Sequence, residues 1–178
     1  MHVELKPYGA GADRILLRRA LGTFATGVTV LTVGGPSPHG MTANSFTAVS
    51  LDPPLVLVCV ERDAVMHHAL ARAGRFGISV LEAGQEHVAR HFADRTRPLG
   101  RAQFDVVDWL PGAASGAPLI VDALAHFECT LWRRYDGGDH TIFVGALLSV
   151  ERRPDCDALL FCHGRFGCLD RNRSEVTT

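Results

Sequence analysis

The chain has 178 residues, of which 47% are hydrophobic and 21% are charged, and its formal net charge is −1. This length and composition are typical of one globular domain with a sizeable core. A net charge so close to zero argues against nucleic acid or an anionic membrane surface as the main partner.

Hydropathy and cysteine usage are typical of a reduced, cytoplasmic protein. The N-terminal residues lack the apolar stretch of a secretory signal, and the longest apolar run, Leu55 to Val60, is too short to cross a bilayer. The five cysteines are an odd number and contain no C-x-x-C pair. Three of them, Cys156, Cys162 and Cys168, recur every six residues, a spacing that fits no zinc knuckle. We therefore expect buried free thiols and no bound metal.

The start of the chain predicts a leader, a helix and a strand. Residues 1–12 contain proline and glycine and are expected to form a flexible leader. Asp13 can cap the following helix, "RILLRRALGTF", in which Leu17, Leu21 and Phe24 share one face while the arginines face solvent. The next segment, "GVTVLTV", has the β-branched content of a strand.

The segment "HGMTANSFTAVSLDPPLVLVCVE", residues 39–61, combines two patterns. Its second half runs from the Asp52-Pro53-Pro54 turn into an apolar strand that is directed at the core. In its first half, Thr42 and Asn44 share one face of an extended chain, and small residues such as Ala43 let a flat ligand approach the main-chain N–H groups. This half fits either a wall that binds a planar heterocycle or a phosphate, or a polar β-corner.

The middle of the chain alternates between helical and extended patterns. "DAVMHHALARAG" predicts a helix that stops at Gly74, "RFGISVL" predicts a strand, and "GQEHVARHFA" returns to helical spacing. From Asp94 to Gln103 follows a charged loop that contains proline and glycine and has no regular period. Loops of this length are often functional or mobile.

The last third of the chain is mostly strand. Two long segments, "PLIVDALAHFECTLWRRY" and "HTIFVGALLSVERR", flank "DGGD" at residues 136–139, which predicts a hairpin because glycine tolerates positive φ. "DALLFCHGRFGCL" predicts a closing strand, and residues 170–178 form a polar tail. About six to eight strands without regularly alternating helices predict one mainly β domain over residues 13–169, a closed antiparallel barrel with peripheral helices.

Several common catalytic motifs are absent from the sequence. There is no G-x-G-x-x-G after a strand, no P-loop and no G-x-S-x-G elbow. His67 and His68 are adjacent on a predicted helix and point in different directions. His87 and His91 are spaced to share a helix face and could bind a metal, but without a third ligand nearby a solvated edge explains them better.

Four segments carry a family resemblance, and they occur in the order "FATGVTVLTV", "HGMTANSFTAVSLDPPLVLVCVE", "RFGISVL" and "GDHTIFVG". From Arg14 to Leu169 the chain resembles the flavin reductase family, which has the split-barrel flavin-binding fold. This family supplies the small reductase components of two-component flavin-dependent monooxygenases. The resemblance implies a homodimer of barrels that binds FMN or FAD near the subunit interface.

The resemblance also implies which residues contact the flavin. Residues 42–45 would line the isoalloxazine ring, residues 49–50 would continue this wall toward the ribityl chain, and residues 59–61 would lie along the ribityl phosphate. Arg62 would meet the phosphate or diphosphate, although Asp63-Ala64 replaces the Ser or Lys expected next. The flavin-binding residues implied in this way are Thr42, Ala43, Asn44, Ser45, Val49, Ser50, Cys59, Val60, Glu61, Arg62, Arg165 and Phe166.

Two further segments complete the implied site. His140, in "GDHT", matches the histidine that the family places beside the nicotinamide. "HGRFG" resembles the family strand that closes over the site, in which Arg165 would contact a phosphate and Phe166 would take an aromatic position. The residues alone also permit a strand-edge histidine and, for the other two, ordinary surface and packing roles.

The activity implied by the resemblance is that of an NAD(P)H:flavin oxidoreductase, with NADH as the donor that the family favours. A hydride would pass to FMN or FAD, and the reduced flavin would diffuse to a separate monooxygenase. No side chain needs to act as a nucleophile, because the protein supplies stacking geometry and excludes water. Two alternatives remain open: a flavin-binding module without turnover, and a pyridoxamine-phosphate-oxidase-like enzyme of the same fold.

Overall fold

The computed structural model of the chain describes residues 13–153 and 156–169. The predicted flexible leader, residues 1–12, and the predicted polar tail, residues 170–178, lie outside the described residues. In the described part of the chain, no helix is both long and apolar enough to span a membrane.

Helices and strands alternate irregularly along the described ranges. The helices are α1 (Arg14–Leu21), α2 (Val65–Ala73) and α3 (Glu86–Ala93), with 3₁₀-helices at Ala83–Gln85 and Gly100–Phe104. The strands are β1 (Thr26–Gly27), β2 (Thr29–Val33), β3 (His39–Ala43), β4 (Thr47–Leu51), β5 (Pro54–Glu61), β6 (Arg75–Val80), β7 (Trp109–Pro111), β8 (Pro118–Ile120), β9 (Ala125–Gly137), β10 (His140–Arg152), β11 (Leu160–Cys162) and β12 (Arg165–Gly167).

Seven of the strands form one antiparallel sheet with the order β3-β2-β6-β9-β10-β5-β4. At its centre is the β9–β10 hairpin, in which each strand has 13 residues. Gly138 in the turn has a φ of +78°, which glycine adopts without steric cost. This confirms the hairpin predicted from "DGGD". The hairpin places His140 at the start of β10, where it pairs with Glu61 on β5.

The prediction of a closed barrel is wrong, because this sheet is open in the described residues. β4 pairs only with β5 and β3 only with β2, so these two strands are its edges. Side chains satisfy the free edge of β3: Gly40 N donates to Gln103 Oε1 at 2.9 Å, and Arg97 donates to Gly40 O. α3 and the second 3₁₀-helix contact β3, so the edge is covered without a closing strand. The mainly β class is confirmed.

Two hydrophobic clusters hold α2 and α3 against the sheet. Met66 and Leu70 of α2 cluster with Val58 and Phe143, and all four are fully buried. Burying side chains of this size stabilises the fold by roughly 1.5–3 kcal/mol each. α2 ends where Gly74 takes a left-handed φ of +67°, which confirms the predicted helix stop. The second cluster joins α3, β2 and the second 3₁₀-helix.

The N-terminal helix starts where it was predicted and ends at Leu21, three residues earlier than the pattern suggested. Asp13 caps α1, because its Oδ1 accepts a hydrogen bond from Ile15 N at 2.8 Å. The apolar face of the helix is nevertheless not buried within the chain. Leu21 is 66% exposed, and Phe24 just after the helix is 77% exposed.

Two segments predicted as single strands are each divided. "PLIVDALAHFECTLWRRY" forms β8 and β9, separated by a turn in which Asp122 has a φ of +63°. "DALLFCHGRFGCL" forms the β11–β12 hairpin, with positive φ at His163 and Gly164. An extended strand cannot contain left-handed residues, so the strand count exceeds the prediction. β11 also pairs with β1, which gives a separate three-stranded sheet.

Candidate functional site

A cavity of about 400 Å³ opens where β3, the end of β5, the N-terminus of α2 and the loop after α3 meet. Its volume lies in the range of small-molecule sites, roughly 300–1,000 Å³. Two segments of the family resemblance, "HGMTANSFTAVSLDPPLVLVCVE" and "GDHTIFVG", both contribute to it. The predicted site residues that line this cavity are Thr42, Ala43, Asn44, Ser45, Cys59, Glu61 and His140.

The hydroxyl groups of the corner after β3 already have backbone partners. Thr42 Oγ1 donates to Ala89 O at 2.7 Å. Ser45 Oγ donates to Cys59 O and accepts from Cys59 N, both at 3.0 Å. The polar-corner interpretation therefore accounts for these hydroxyls, which hold the corner against α3 and β5. Asn44 is exposed and lines the cavity, so the corner presents an amide and a main chain of small residues to a ligand.

The end of β5 contributes alternate side chains to the cavity. Cys59 and Glu61 line it, whereas Val60 is fully buried in the core, because successive side chains of a strand face opposite sides. The side chain of Val60 is therefore turned away from the cavity. Burial raises the pKa of the Cys59 thiol, so this group is neutral in the cavity wall at pH 7.

Four predicted residues lie away from the cavity within a single chain. Val49 and Ser50 are on β4, the exposed edge strand of the large sheet. Arg165 and Phe166 are on β12, in the three-stranded sheet. The guanidinium of Arg90 lies 5.0 Å from the ring centroid of Phe166, so this aromatic residue packs beside α3.

Arg62 contacts the β9–β10 turn and does not line the cavity. Its Nε donates to Gly138 O at 2.8 Å, and its Nη2 lies 3.0 Å from Asp136 Oδ1. Its backbone N–H donates to Asp139 O at 3.0 Å. Arg62 therefore stabilises the turn that precedes His140. It does not reach the cavity wall, where the resemblance implied a phosphate contact.

His140 lines the cavity with a side chain that is 42% exposed. Its Nδ1–H donates to Asp139 Oδ1 at 2.7 Å. This hydrogen bond, together with the charge of the imidazole, lowers the pKa of the Asp139 carboxyl. Because Nδ1 holds the proton that faces the carboxylate, a neutral imidazole presents Nε2 as an acceptor.

The loop after α3 supplies cavity residues that the sequence analysis missed. Arg95 and Arg97 of this loop line the cavity, as does His39 from β3. Arg95 Nη2 lies 2.5 Å from Glu61 Oε2, so the loop is tied to the end of β5. The signal for this role was the length and charge of the aperiodic segment from Asp94 to Gln103.

His39 and Arg97 are neighbours in the cavity wall, with His39 Nε2 3.5 Å from Arg97 Nη2. Burial, and secondarily the charge of Arg97, lowers the pKa of His39 to about 4. Burial also lowers the pKa of Arg97, an effect that the nearby Asp94 opposes. A guanidinium stays charged at neutral pH, so this part of the wall combines a neutral imidazole with a full positive charge.

His91, one of the two histidines considered as metal ligands, has a protein partner, as does His67 on α2. His91 Nε2 donates to Gln103 O at 2.7 Å. His67 Nε2 lies 2.9 Å from Thr141 Oγ1. Among the residues that the structure describes, no group of three or more His, Cys, Asp or Glu side chains is arranged to hold a metal ion.

The cavity suits a flavin nucleotide. Its wall combines small side chains, at Ala43, Ala64 and Ala93, with the polar corner after β3. Small side chains let a planar ring approach main-chain donors, and the amide of Asn44 can bond to ring carbonyls. Arg97 adds a positive charge that can attract phosphate oxygens.

The family described as "Flavin reductase like domain" matches residues 21–170. The chain therefore belongs to the flavin reductase family. It is 61% identical over 154 residues to the NADH-dependent FAD reductase of Streptomyces globisporus, a match that covers 86% of this chain and 85% of that protein.

Solved structures support the same family. The Streptomyces globisporus C-1027 NADH:FAD oxidoreductase SgcE6, in complex with NAD and FAD fragments, has a TM-score of 0.87 at 56% identity, covering 91% of this chain and 96% of that one. BorF, the flavin reductase component of a bacterial two-component tryptophan halogenase, has a TM-score of 0.86 at 60% identity, covering 89% and 100%. The fold relationship expected from the sequence motifs is confirmed.

Proposed function

We propose that this protein is an NADH-dependent flavin reductase that transfers a hydride from NADH to FAD or FMN. One observation carries the proposal: a single cavity joins the corner after β3 to His140 on β10, and these are the motifs on which the family resemblance rests. FAD is the first flavin to test, because the relative with 61% identity is named as a FAD reductase.

The chain contributes position and environment to the reaction. A bound flavin supplies the redox chemistry, because its ring accepts a hydride from a nicotinamide. Asn44 and the main chain of the corner hold the ring edge, and the Ser45 hydroxyl fixes that corner to β5. His140 orients the nicotinamide through Nε2, since its Nδ1–H is bonded to Asp139. The arrangement requires no nucleophilic side chain.

The reduced flavin is proposed to leave the cavity and serve a separate monooxygenase. BorF, which is 60% identical to this chain, is the reductase component of a two-component tryptophan halogenase. A division of labour of this kind requires a cavity from which flavin can depart. The cavity here is bounded by strand ends and a loop rather than by the interior of a barrel.

We further propose that the chain functions as a homodimer. Apolar side chains stay exposed on β4, β9 and β10: Leu51 is 95% exposed, Trp132 49% and Val150 61%. Exposed apolar surface of this kind marks protein interaction sites. A second copy of the chain would cover it, and would offer its own β4 or β12 residues to the cavity.

The cytoplasm is the proposed location. All five cysteines are free, as expected for a protein kept in a reducing compartment. The expectation that they are buried is wrong for all but Cys129, and Cys168 is exposed. NADH and flavin nucleotides are cytoplasmic metabolites, so the proposed substrates are available there.

The proposed activity is tested by following NADH oxidation with the purified protein. Absorbance at the NADH band is recorded with FAD, with FMN and without flavin, and the same series is repeated with NADPH. We expect flavin-dependent oxidation that is faster with NADH. If neither flavin accelerates NADH oxidation, the reductase proposal fails, and flavin titration then shows whether the protein is a binding module.

A further inference from the structure

Arg97 is a half-buried cation whose hydrogen-bond partners are all neutral groups: two carbonyl oxygens and the imidazole of His39. Its Nη1 donates to Asp94 O and its Nη2 to Gly40 O. Its guanidinium lies 5.8 Å from the ring centroid of Phe92. Its Nε is buried and has no hydrogen-bond partner. A guanidinium that keeps an orphaned N–H out of water is costly unless an anion compensates it.

No carboxylate in the described ranges lies within 4.0 Å of the Arg97 guanidinium. The nearest candidate, Asp94, uses its Oδ1 to accept from Thr96 N and Thr96 Oγ1, both at 2.8 Å. The adjacent His39 is neutral at pH 7, since burial and Arg97 itself lower its pKa to about 4. Arg97 therefore has no ion-pair partner within 4.0 Å among the described residues, and the carboxylate of Asp94 acts on its charge only from a longer distance.

The other arginines near the cavity are engaged by carboxylates. Arg62 contacts Asp136 at 3.0 Å and does not line the cavity. Arg95 contacts Glu61 at 2.5 Å, and its side chain is 84% exposed. Of the two arginines that line the cavity, Arg97 is thus the one without an ion-pair partner among the described residues, and it can bind an anion in the cavity.

We propose that Arg97 binds a phosphate group of the nucleotide cofactor, in the role that the sequence motif suggested for Arg62. This inference rests on the proposed function, because it assumes a nucleotide in the cavity. The phosphate belongs either to the flavin nucleotide or to the nicotinamide dinucleotide, and both present the same chemistry to a guanidinium. A planar fork of donors suits phosphate oxygens well.

The spacing along β3 agrees with this role. Arg97 is bonded to Gly40, near the start of β3, whereas Asn44 lies just beyond its end. At the rise of an extended chain these two positions are about 13 Å apart. A nucleotide whose ring lies at Asn44 can therefore direct its phosphate toward Arg97, because a ribityl chain separates the two groups.

The test compares flavins with and without a phosphate, using Arg97→Gln and a matched control, Arg101→Gln. Arg101 is also in the segment after α3, and its guanidinium lies 5.6 Å from the ring centroid of Trp109, but it does not line the cavity. Dissociation constants of riboflavin, FMN and FAD are measured by fluorescence titration, without NADH. We expect Arg97→Gln to weaken FMN and FAD binding about 10- to 100-fold with little change for riboflavin, and Arg101→Gln to change none of the three.

A second arm identifies the source of the phosphate. ADP-ribose, which carries the dinucleotide phosphates without a nicotinamide, is titrated into the same proteins. If Arg97→Gln loses affinity for ADP-ribose alone, Arg97 binds a phosphate of the nicotinamide dinucleotide. If it loses affinity for FMN and FAD alone, Arg97 binds a phosphate of the flavin nucleotide. Unchanged affinities for all phosphate ligands, or an equal loss for riboflavin, overturn the proposal for Arg97.

Folding controls keep this test interpretable. Arg97 also donates to Gly40 O on the edge of β3, so Arg97→Gln is checked by urea unfolding and circular dichroism. Arg97→Lys keeps the charge, and we expect it to recover part of the lost FMN affinity. Should the wild-type protein bind none of FAD, FMN and riboflavin, the proposed function itself fails. Retained riboflavin binding together with unaltered affinities of Arg97→Gln for FMN, FAD and ADP-ribose defeats only the role of Arg97.

Discussion

Asp139 Oδ1 and His140 Nδ1 lie 2.7 Å apart, in adjacent residues where the β9–β10 turn enters β10. Arg62 holds the same turn through Gly138 O and the carboxylate of Asp136. An exposed pair of this kind adds little to the stability of the fold. Its consequence is orientation, because the carboxylate selects the imidazole nitrogen that faces the cavity as an acceptor.

Replacing His140 by alanine is expected to lower the catalytic efficiency with NADH and to leave flavin binding nearly unchanged. Loss of one hydrogen bond to the nicotinamide should lower kcat/KM for NADH about three- to tenfold. The dissociation constant of FAD, measured by fluorescence titration, should stay nearly the same. An equal loss of flavin affinity would instead place His140 on the flavin side of the site.

Replacing Asp139 by asparagine should lower kcat/KM for NADH several-fold, because an amide does not select between the two imidazole tautomers. The effect should vanish when His140 is already alanine, since the carboxylate acts only through the imidazole. Asp122→Asn is the control, as Asp122 is another exposed carboxylate, paired with Arg153 at 2.8 Å. Additive losses in the His140→Ala background would contradict this prediction.

Local patterns predicted the elements of the fold well where neighbours in sequence are also neighbours in space. The hairpin around Gly138 and the end of α2 at Gly74 follow from backbone preferences of glycine at those positions. Closure of the sheet did not follow, because it depends on what covers the β3 edge. Gln103 and Arg97 cover it from a loop whose sequence has no periodic signal.

The candidate site was also predictable only where its residues belong to one local segment of the sequence. The corner after β3 was found by its composition and by the motif it belongs to. Composition could not tell a ligand wall from a polar corner, and the bonds of Thr42 and Ser45 to the backbone show that the segment is a corner as well. The partners of Arg62 and Arg97 come from distant segments, so no local pattern indicated which of them faces the cavity.

The buried imidazole of His39 should make the protein less stable in mild acid. Its pKa is about 4 in the folded protein and 6.5 ordinarily, so between these values the unfolded chain binds a proton that the folded chain does not. The free energy of unfolding should therefore fall by about 1.4 kcal/mol per pH unit as the pH drops through this window. This is checked by measuring the free energy of unfolding of the wild type and of His39→Asn with urea, at several pH values from about 7.5 to about 5. Parallel pH profiles of the two proteins would refute it.

Glu128 is expected to stabilise the fold as a buried carboxylate. It is 5% exposed, and it accepts hydrogen bonds from Ala114 N, Ser115 N, Ser115 Oγ and Ser149 Oγ. Burial acts to raise the pKa of Glu128, but these hydrogen bonds outweigh it and leave the pKa lowered. Glu128→Gln should cost about 2 kcal/mol in urea unfolding, because a neutral amide oxygen replaces a charged acceptor of several hydrogen bonds. Glu151→Gln, the control at an exposed carboxylate, should change the free energy of unfolding by no more than about 0.5 kcal/mol relative to the wild type.

Leu51 is expected to lie in the interface of the proposed homodimer. It is 95% exposed on β4, an edge strand of the large sheet, and burying such a side chain against a second copy stabilises the dimer. Leu51→Lys should therefore weaken the dimer about tenfold or more, measured by analytical ultracentrifugation across a dilution series. Leu110→Lys, at a leucine that is 64% exposed on β7, should leave the dimer unchanged.

A monomeric wild-type protein would refute the dimer. If dissociation of Leu51→Lys also weakens FAD binding, the second copy contributes to the flavin site.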